Sequence, residues 1–295
     1  MLVFLSLKDV KFFIITFLMI FLLYPSANLN TKVINKVKNS GFFHIRFRII
    51  LFNILFSSLI SFIGSIGYLF SKNIYGNVDF AFKYIYPIHV TGEVCIGINC
   101  TLLMIERFFS LTLIKTYEKN TNITFLKIFE VFTYIIIYII EVLFNINVYL
   151  SYSIICSLII SIIFYFINIH KQNVAFKHVK EDARNFVSSP MGEVNTILGN
   201  KRILPILFPF FTCFFIYGLI NQSALYIIYH YKNKEYIDLA LIIHAVVLSI
   251  KIIVTPSLLL IGLKGRSATP IIEEHILIEE NEMNIQYRLL SIIWS

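Results

Sequence analysis

The chain has 295 residues, is 58% hydrophobic and only 14% charged, and carries 29 Phe, 17 Tyr and a formal net charge of +8. Soluble domains are about 25% charged, and one of this length cannot hide so much apolar surface. Uncharged runs of membrane-spanning length recur along it, so soluble domains are excluded and a polytopic all-α membrane protein is expected.

Taken in order, the first apolar run covers 12–29. Lys8 and Lys11 precede it and Ser26-Ala27 follow it, as in a cleaved signal peptide. It is as long as a full span, however, and is read as a membrane helix. Further spans fall near 49–70 and 84–110; the latter holds Glu93 and Asn99 and ends on Glu106-Arg107. From Val142 to Ile169 the chain is uncharged, too long a run for one helix at about 1.5 Å per residue. A turn at Asn145-Ile146-Asn147 divides it, giving spans near 128–145 and 148–169. The sixth span, 203–228, opens on Pro205 and Pro209, and the seventh, 238–263, contains His244, Lys251 and Pro256.

Residues 1–265 thus read as one seven-span domain, and 266–295 as a tail. The tail is acidic at Glu273, Glu274, Glu279, Glu280 and Glu282, then ends apolar in "LLSIIWS". It reads either as an amphipathic segment on the membrane surface or as disordered. Cys95, Cys100, Cys156 and Cys213 all lie in apolar runs. They read as small core residues, with no disulfide framework and no metal pair. The chain shows no internal repeat, Gly-rich phosphate loop or paired membrane aspartates. No enzyme activity, cofactor, metal or nucleic-acid partner is expected.

Lys and Arg orient the bundle, because they accumulate on the cytoplasmic side of a membrane. Eighteen fall in the first, third and fifth connections and the tail, against six on the other side. The N-terminus is therefore expected outside and the C-terminus in the cytoplasm. Asn122-Ile123-Thr124, which matches the glycosylation pattern, then falls in a cytoplasmic loop and is expected to be unmodified. Asn221-Gln222-Ser223 is expected to be too buried for it.

The stretch "ERFFSLTLIKTYE" places Glu106-Arg107 about ten residues ahead of Tyr117-Glu118. It resembles the third-span signature of nematode serpentine chemoreceptors of the Sra superfamily, with Ser110 where alanine is commoner. "EVNTILGNKRILPILFPFF" is similar to that family's segment leading into the sixth span, with Glu193-Val194-Asn195 in a changed order. The resemblance implies a G-protein-coupled receptor in a plasma or ciliary membrane, with a small chemical as ligand and a heterotrimeric G protein as partner. It also implies that Glu106 holds Arg107 at rest and that Arg107 turns to the G protein on activation. By the same resemblance, the inner end of the sixth span would swing outward, with Pro205 and Pro209 as its bend. Read from the residues alone, prolines near a helix start are equally ordinary, and Arg107 is equally an anchor at the headgroups. Being adjacent on a helix, Glu106 and Arg107 are expected to point about 100° apart and to pair loosely in a partly hydrated setting. The cysteine that rhodopsin-like receptors carry at the outer top of the third span is absent, so no extracellular disulfide lid is expected.

Ionisable residues inside a span are functional candidates by default, and Glu93, Glu141 and Lys251 are the most deeply placed. Glu93 lies fourteen residues from Arg107, roughly 21 Å along a helix, in the half where a small ligand would enter. Lys251 invites comparison with the retinal lysine of opsins, but Pro256 follows it after five residues where that pattern has seven. Pairing with Glu93 or Glu141 is the plainer role. Glu93, Asn99, His244 and Lys251 form the candidate ligand pocket, with satisfied packing the plainer role for Asn99 and His244, and Pro256 is a candidate kink. Two rival classes remain. A small-solute transporter would show two related three-helix halves, and an odorant-gated channel would put the N-terminus inside.

Overall fold

The computed structural model of the chain describes residues 7–39, 43–71, 80–113, 123–144, 147–184, 191–230 and 234–264. Among these residues there is no strand, and the regular elements are seven α-helices with a π-helical turn. They are α1 (Leu7–Asn39), α2 (Ile45–Phe70), α3 (Tyr86–Thr112, entered through the turn Ala81–Ile85), α4 (Thr124–Phe144), α5 (Asn147–Arg184), α6 (Met191–His230) and α7 (Lys234–Lys264). Six of the seven hold a stretch long and apolar enough to cross a membrane, and these stretches run Val10–Asn39, Ile45–Phe70, Ala81–Thr112, Tyr152–His178, Gly199–Asn221 and Asp238–Leu263. α4 is not among them; Lys127, Glu130 and Glu141 place three ionisable residues in its 21. The protein is thus a multi-pass, all-helical membrane protein, as a backbone that must satisfy its own polar groups in lipid requires.

Several helices overrun the expected spans. α1 continues to Asn39, so Lys32, Lys36 and Lys38 stand on its last turns and not in a loop. α5 runs on to Arg184 through "HKQNVAFKHVKEDAR", which has neither Gly nor Pro and is rich in good helix formers. α6 begins at Met191, well before the expected 203. Pro205 and Pro209 are therefore interior to a 40-residue helix, and the reading of ordinary helix-start prolines is corrected. Pro256 is likewise interior to α7, as is Pro25 to α1. α4 ends at Phe144 and α5 restarts at Asn147, so the division of the long uncharged run falls where expected.

α3 is the central element, packed against α2, α4, α5 and α6. Its apolar stretch is 72% buried, against 22% for that of α1. α1 packs on α2 and α7, and α6 lies between α5 and α7. Between helices in lipid the hydrophobic drive is weak, so small residues and interhelical hydrogen bonds decide contacts. α2 and α3 meet backbone to backbone. A Cβ on Gly64 would fall on His89 N, and one on Gly92 would lie 2.5 Å from Ser61 N. Ser57, Ser58, Ser61 and Ser65 continue that narrow face of α2. α5 is tied to α3 by polar bonds: Thr101 Oγ1 donates to Ser157 O (2.9 Å) and Asn168 Nδ2 to Met104 O (2.9 Å). On α4, Tyr134 OH bonds Ser57 Oγ of α2.

The outer faces are apolar. Phe13, Phe17 and Phe21 on α1, Val131, Phe132 and Ile135 on α4, and Ile159 and Ile163 on α5 all point away from the bundle. Lipid contact is the setting in which such faces are stable. Cys95 and Cys100 are buried as expected, but Cys156 is exposed on the outer face of α5, a correction to its expected core role.

Candidate functional site

Two buried polar clusters sit at different levels of the bundle, and α3 and α6 contribute to both. One lies at the end where α1, α3, α5 and α7 finish and α2 and α6 begin, called here the basic end for its Lys and Arg. At this level Arg107 and Glu106 are 3% and 8% exposed. Arg107 Nε meets Glu106 Oε2 at 2.5 Å, and Nη2 meets Oε1 at 2.6 Å. The expectation of a loose, partly hydrated pair is corrected. The guanidinium folds back along its own helix because α2, α3 and α6 exclude water there, leaving the adjacent carboxylate to complete a bidentate fork. Arg107 Nη1 also donates to Asn200 Oδ1 of α6 (3.2 Å), and the guanidinium carbon lies 4.8 Å from the Phe47 ring centroid of α2. Asn200 Nδ2 donates to Ser110 Oγ (2.9 Å) and Thr196 O (3.0 Å), while Ser110 Oγ donates to Arg107 O (2.8 Å). One asparagine thereby links the charged pair of α3 to α6.

His44 caps α2 beside this cluster, its Nδ1 accepting from Arg46 N–H at 3.4 Å. Burial, and after it the positive charges of Arg107, Arg46 and Arg48, push its pKa from 6.5 down to about 4. It is therefore neutral at neutral pH. Tyr117 and Glu118, the remaining half of the sequence signature, lie outside the described residues.

The other cluster lies midway along α2, α3, α6 and α7. Lys251 Nζ stands 2.6 Å from Glu93 Oε1 and 2.8 Å from Oε2. The ammonium faces the rings of Tyr217 (4.0 Å) and Phe214 (5.1 Å) of α6. Ser61 of α2 donates to Glu93 Oε1, and His89 Nδ1 lies 2.9 Å from Ser61 Oγ and 3.1 Å from Ser61 O. A carbonyl only accepts, so Nδ1 carries the proton and the chain of donation runs His89 to Ser61 to Glu93. His244 stacks edge-on against His89 at 4.8 Å and meets Asn221 Oδ1 through Nδ1 at 2.5 Å. Among the described residues, the buried polar atoms at this level without a hydrogen-bond partner include His244 Nε2, Tyr217 OH and Thr91 Oγ1.

Of the residues expected to form a pocket, the structure brings Glu93, His244 and Lys251 together. Asn99 stands apart, bonding Cys95 O one turn back on its own helix (2.9 Å). Lys251 is paired with Glu93; Glu141 is buried without a partner among the described residues. Ser61, His89, Tyr217 and Asn200 were not singled out in the sequence, and Asn221 only as a glycosylation candidate. A signal existed for two of them: His89 precedes Glu93 by four, and Asn221 follows Tyr217 by four, one helical face in each case. Asn221, the second candidate glycosylation site, is buried in α6 as expected. No protein-family model matches the chain, and no curated protein matches it.

Chemically, the two clusters differ. The one at the basic end is a buried ion pair that touches the Asn200 amide of α6 and the Phe47 ring of α2. The mid-bundle cluster is an ion pair with a donor relay and several polar atoms without a partner among the described residues, beside aromatic rings.

Proposed function

We propose that the chain is a seven-span receptor, with α4 as its fourth span, that binds a small chemical among the mid-bundle residues and signals through a heterotrimeric G protein at the basic end. The N-terminus lies outside and the C-terminus in the cytoplasm, in keeping with the Lys and Arg bias. The single observation that carries this reading is the buried Glu106–Arg107 pair fastened to α6 through Asn200. A resting state needs a charge withheld from the cytoplasmic face, and a second helix that can let it go. α6 has both ends of such a connection, because Tyr217 meets Lys251 and Asn200 meets Arg107, with Pro205 and Pro209 in between. His244 Nε2 and Tyr217 OH give a ligand polar positions to satisfy, and a ligand shifts the balance only as far as it prefers one state. The resemblance of "ERFFSLTLIKTYE" to the Sra-type signature supports the same assignment.

A small-solute transporter is the second reading, favoured by the Glu93–Lys251 pair, since intramembrane ion pairs also mark solute paths. A G-protein-dissociation reporter in cells separates the two. With basal signal normalised to surface protein, Glu106→Gln is expected to raise it at least about fivefold, the shift that about 1 kcal/mol makes. Arg107→Ala is expected to abolish coupling with surface protein present. Signalling that is the same in the parent, Glu106→Gln and Arg107→Ala proteins would end the receptor reading.

A further inference from the structure

At the basic end, α1 and α2 leave between them a cavity of about 200 Å³. Its floor is apolar, made by Val33, Val37, Leu51 and Leu55, all buried. Phe52, 44% exposed, forms a wall. Lys38 and Arg48 stand at one end. Arg48 is set in place before anything binds: Nε donates to Phe43 O at 2.7 Å and Nη1 to Lys38 O at 3.0 Å. Lys38 is exposed beside it. Between Asp9 and Asp79 the sequence has no carboxylate, so neither helix brings a negative charge to this end.

The groove is apolar along its length and cationic at its mouth, which is the inverse image of an anionic phospholipid. At about 200 Å³ it is smaller than the roughly 300–1,000 Å³ that drug-sized ligands occupy. A segment of hydrocarbon chain is the better fit. An arginine fork held by carbonyls and a neighbouring mobile lysine suit a phosphate at the headgroup level. We infer that this groove binds one anionic phospholipid, its acyl chain lying between α1 and α2 and its phosphate at Lys38 and Arg48. The inference rests on the proposed orientation for one point: it puts the groove in the cytoplasmic leaflet, where anionic lipids concentrate.

The test uses the full-length protein in symmetric nanodiscs holding phosphatidylserine and phosphatidylcholine at equal mole fraction, with retained lipid identified by native mass spectrometry. One phosphatidylserine is expected per protein, preferred at least fivefold. Lys38→Glu, at an exposed position, is expected to erase the preference, and Ile34→Trp, which enlarges a half-buried side chain lining the groove, to remove the retained lipid. Equal retention of the two lipids, or a preference unaltered in Lys38→Glu, would overturn the inference; Lys38→Glu alone decides if Ile34→Trp does not fold. Replacing Glu273, Glu274, Glu279, Glu280 and Glu282 by Gln is expected to change nothing. More retained lipid in that variant would mean that the tail covers the groove, and would also overturn it. Because both leaflets have one composition, the result does not depend on orientation, which terminal epitope tags report separately.

Discussion

Lys251→Met should strand Glu93, and the size of the effect follows from the contact. At 2.6 Å and an effective dielectric of about 20, Coulomb attraction is worth about 6 kcal/mol. Desolvating both ions offsets most of it, so the pair adds little net stability, whereas losing one partner costs about 3–5 kcal/mol. Glu93 is 3% exposed and would keep the Ser61 hydroxyl as donor. Glu93→Gln strands Lys251 in turn, with the faces of Tyr217 and Phe214 taking up part of its charge. The double variant Glu93→Gln/Lys251→Met has no charge to strand and should fall within about 2 kcal/mol of the parent. Unfolding in mixed micelles with increasing SDS, followed by circular dichroism, gives all four stabilities and hence the coupling energy. Single losses that simply add in the double variant would refute the buried pair.

Gly92→Leu should cost about 1–3 kcal/mol or more in the same micelle assay, since its Cβ meets backbone. Gly218→Ala, whose Cβ would meet only a Leu158 methyl at 3.4 Å, should be near neutral. For His44, the unfolded chain titrates near 6.5 and the fold near 4. Its contribution to stability is full above about pH 6.5 and lost as pH falls from there through about 4. Thermal melts across that range should show the step, and His44→Asn, which keeps an acceptor at the cap, should flatten it. Asn200→Ala removes a hydrogen bond to a charged group, worth about 1.5–3 kcal/mol, and should raise basal reporter signal at least tenfold. Epitope tags at residues 1 and 295 should label outside and inside respectively in intact cells; labels on one side would contradict seven spans.

The membrane-spanning character was legible because 58% hydrophobic composition leaves no soluble alternative. The break between Phe144 and Asn147 was legible because an uncharged run has a maximum helical length. Helix ends were less so: nothing in a hydropathy pattern tells a helix to stop at a membrane edge, and "HKQNVAFKHVKEDAR" continues α5 for that reason. Glu93 and Lys251 could be named as buried charges, but they are 158 positions apart and pairing depends on how α3 and α7 turn toward each other. Ser61 and Asn200 are ordinary polar residues in sequence. They become informative only when Gly64 and Gly92 draw α2 onto α3, and when α6 is seen to start early enough for residue 200 to be helical. The reverse error arose at Glu106-Arg107, where helical geometry alone predicts separation and ignores the reach of an arginine side chain.

The early start of α6 also gives it mechanical leverage. From Pro209 back to Met191 is eighteen residues of unbroken helix, an arm of roughly 27 Å. A bend of about 10° at that proline carries the arm's tip roughly 5 Å sideways, while Tyr217, on the short side of the fulcrum and two turns away, moves by only about 2 Å. Asn200, nine residues from Pro209 on the long side, would move by about 2 Å, no farther than Tyr217, so the gain is felt only at the Met191 end. That gain is set by arm length, so shortening α6 at its Met191 end would cut the tip's stroke and leave both buried clusters, and the movement of Asn200, as they are.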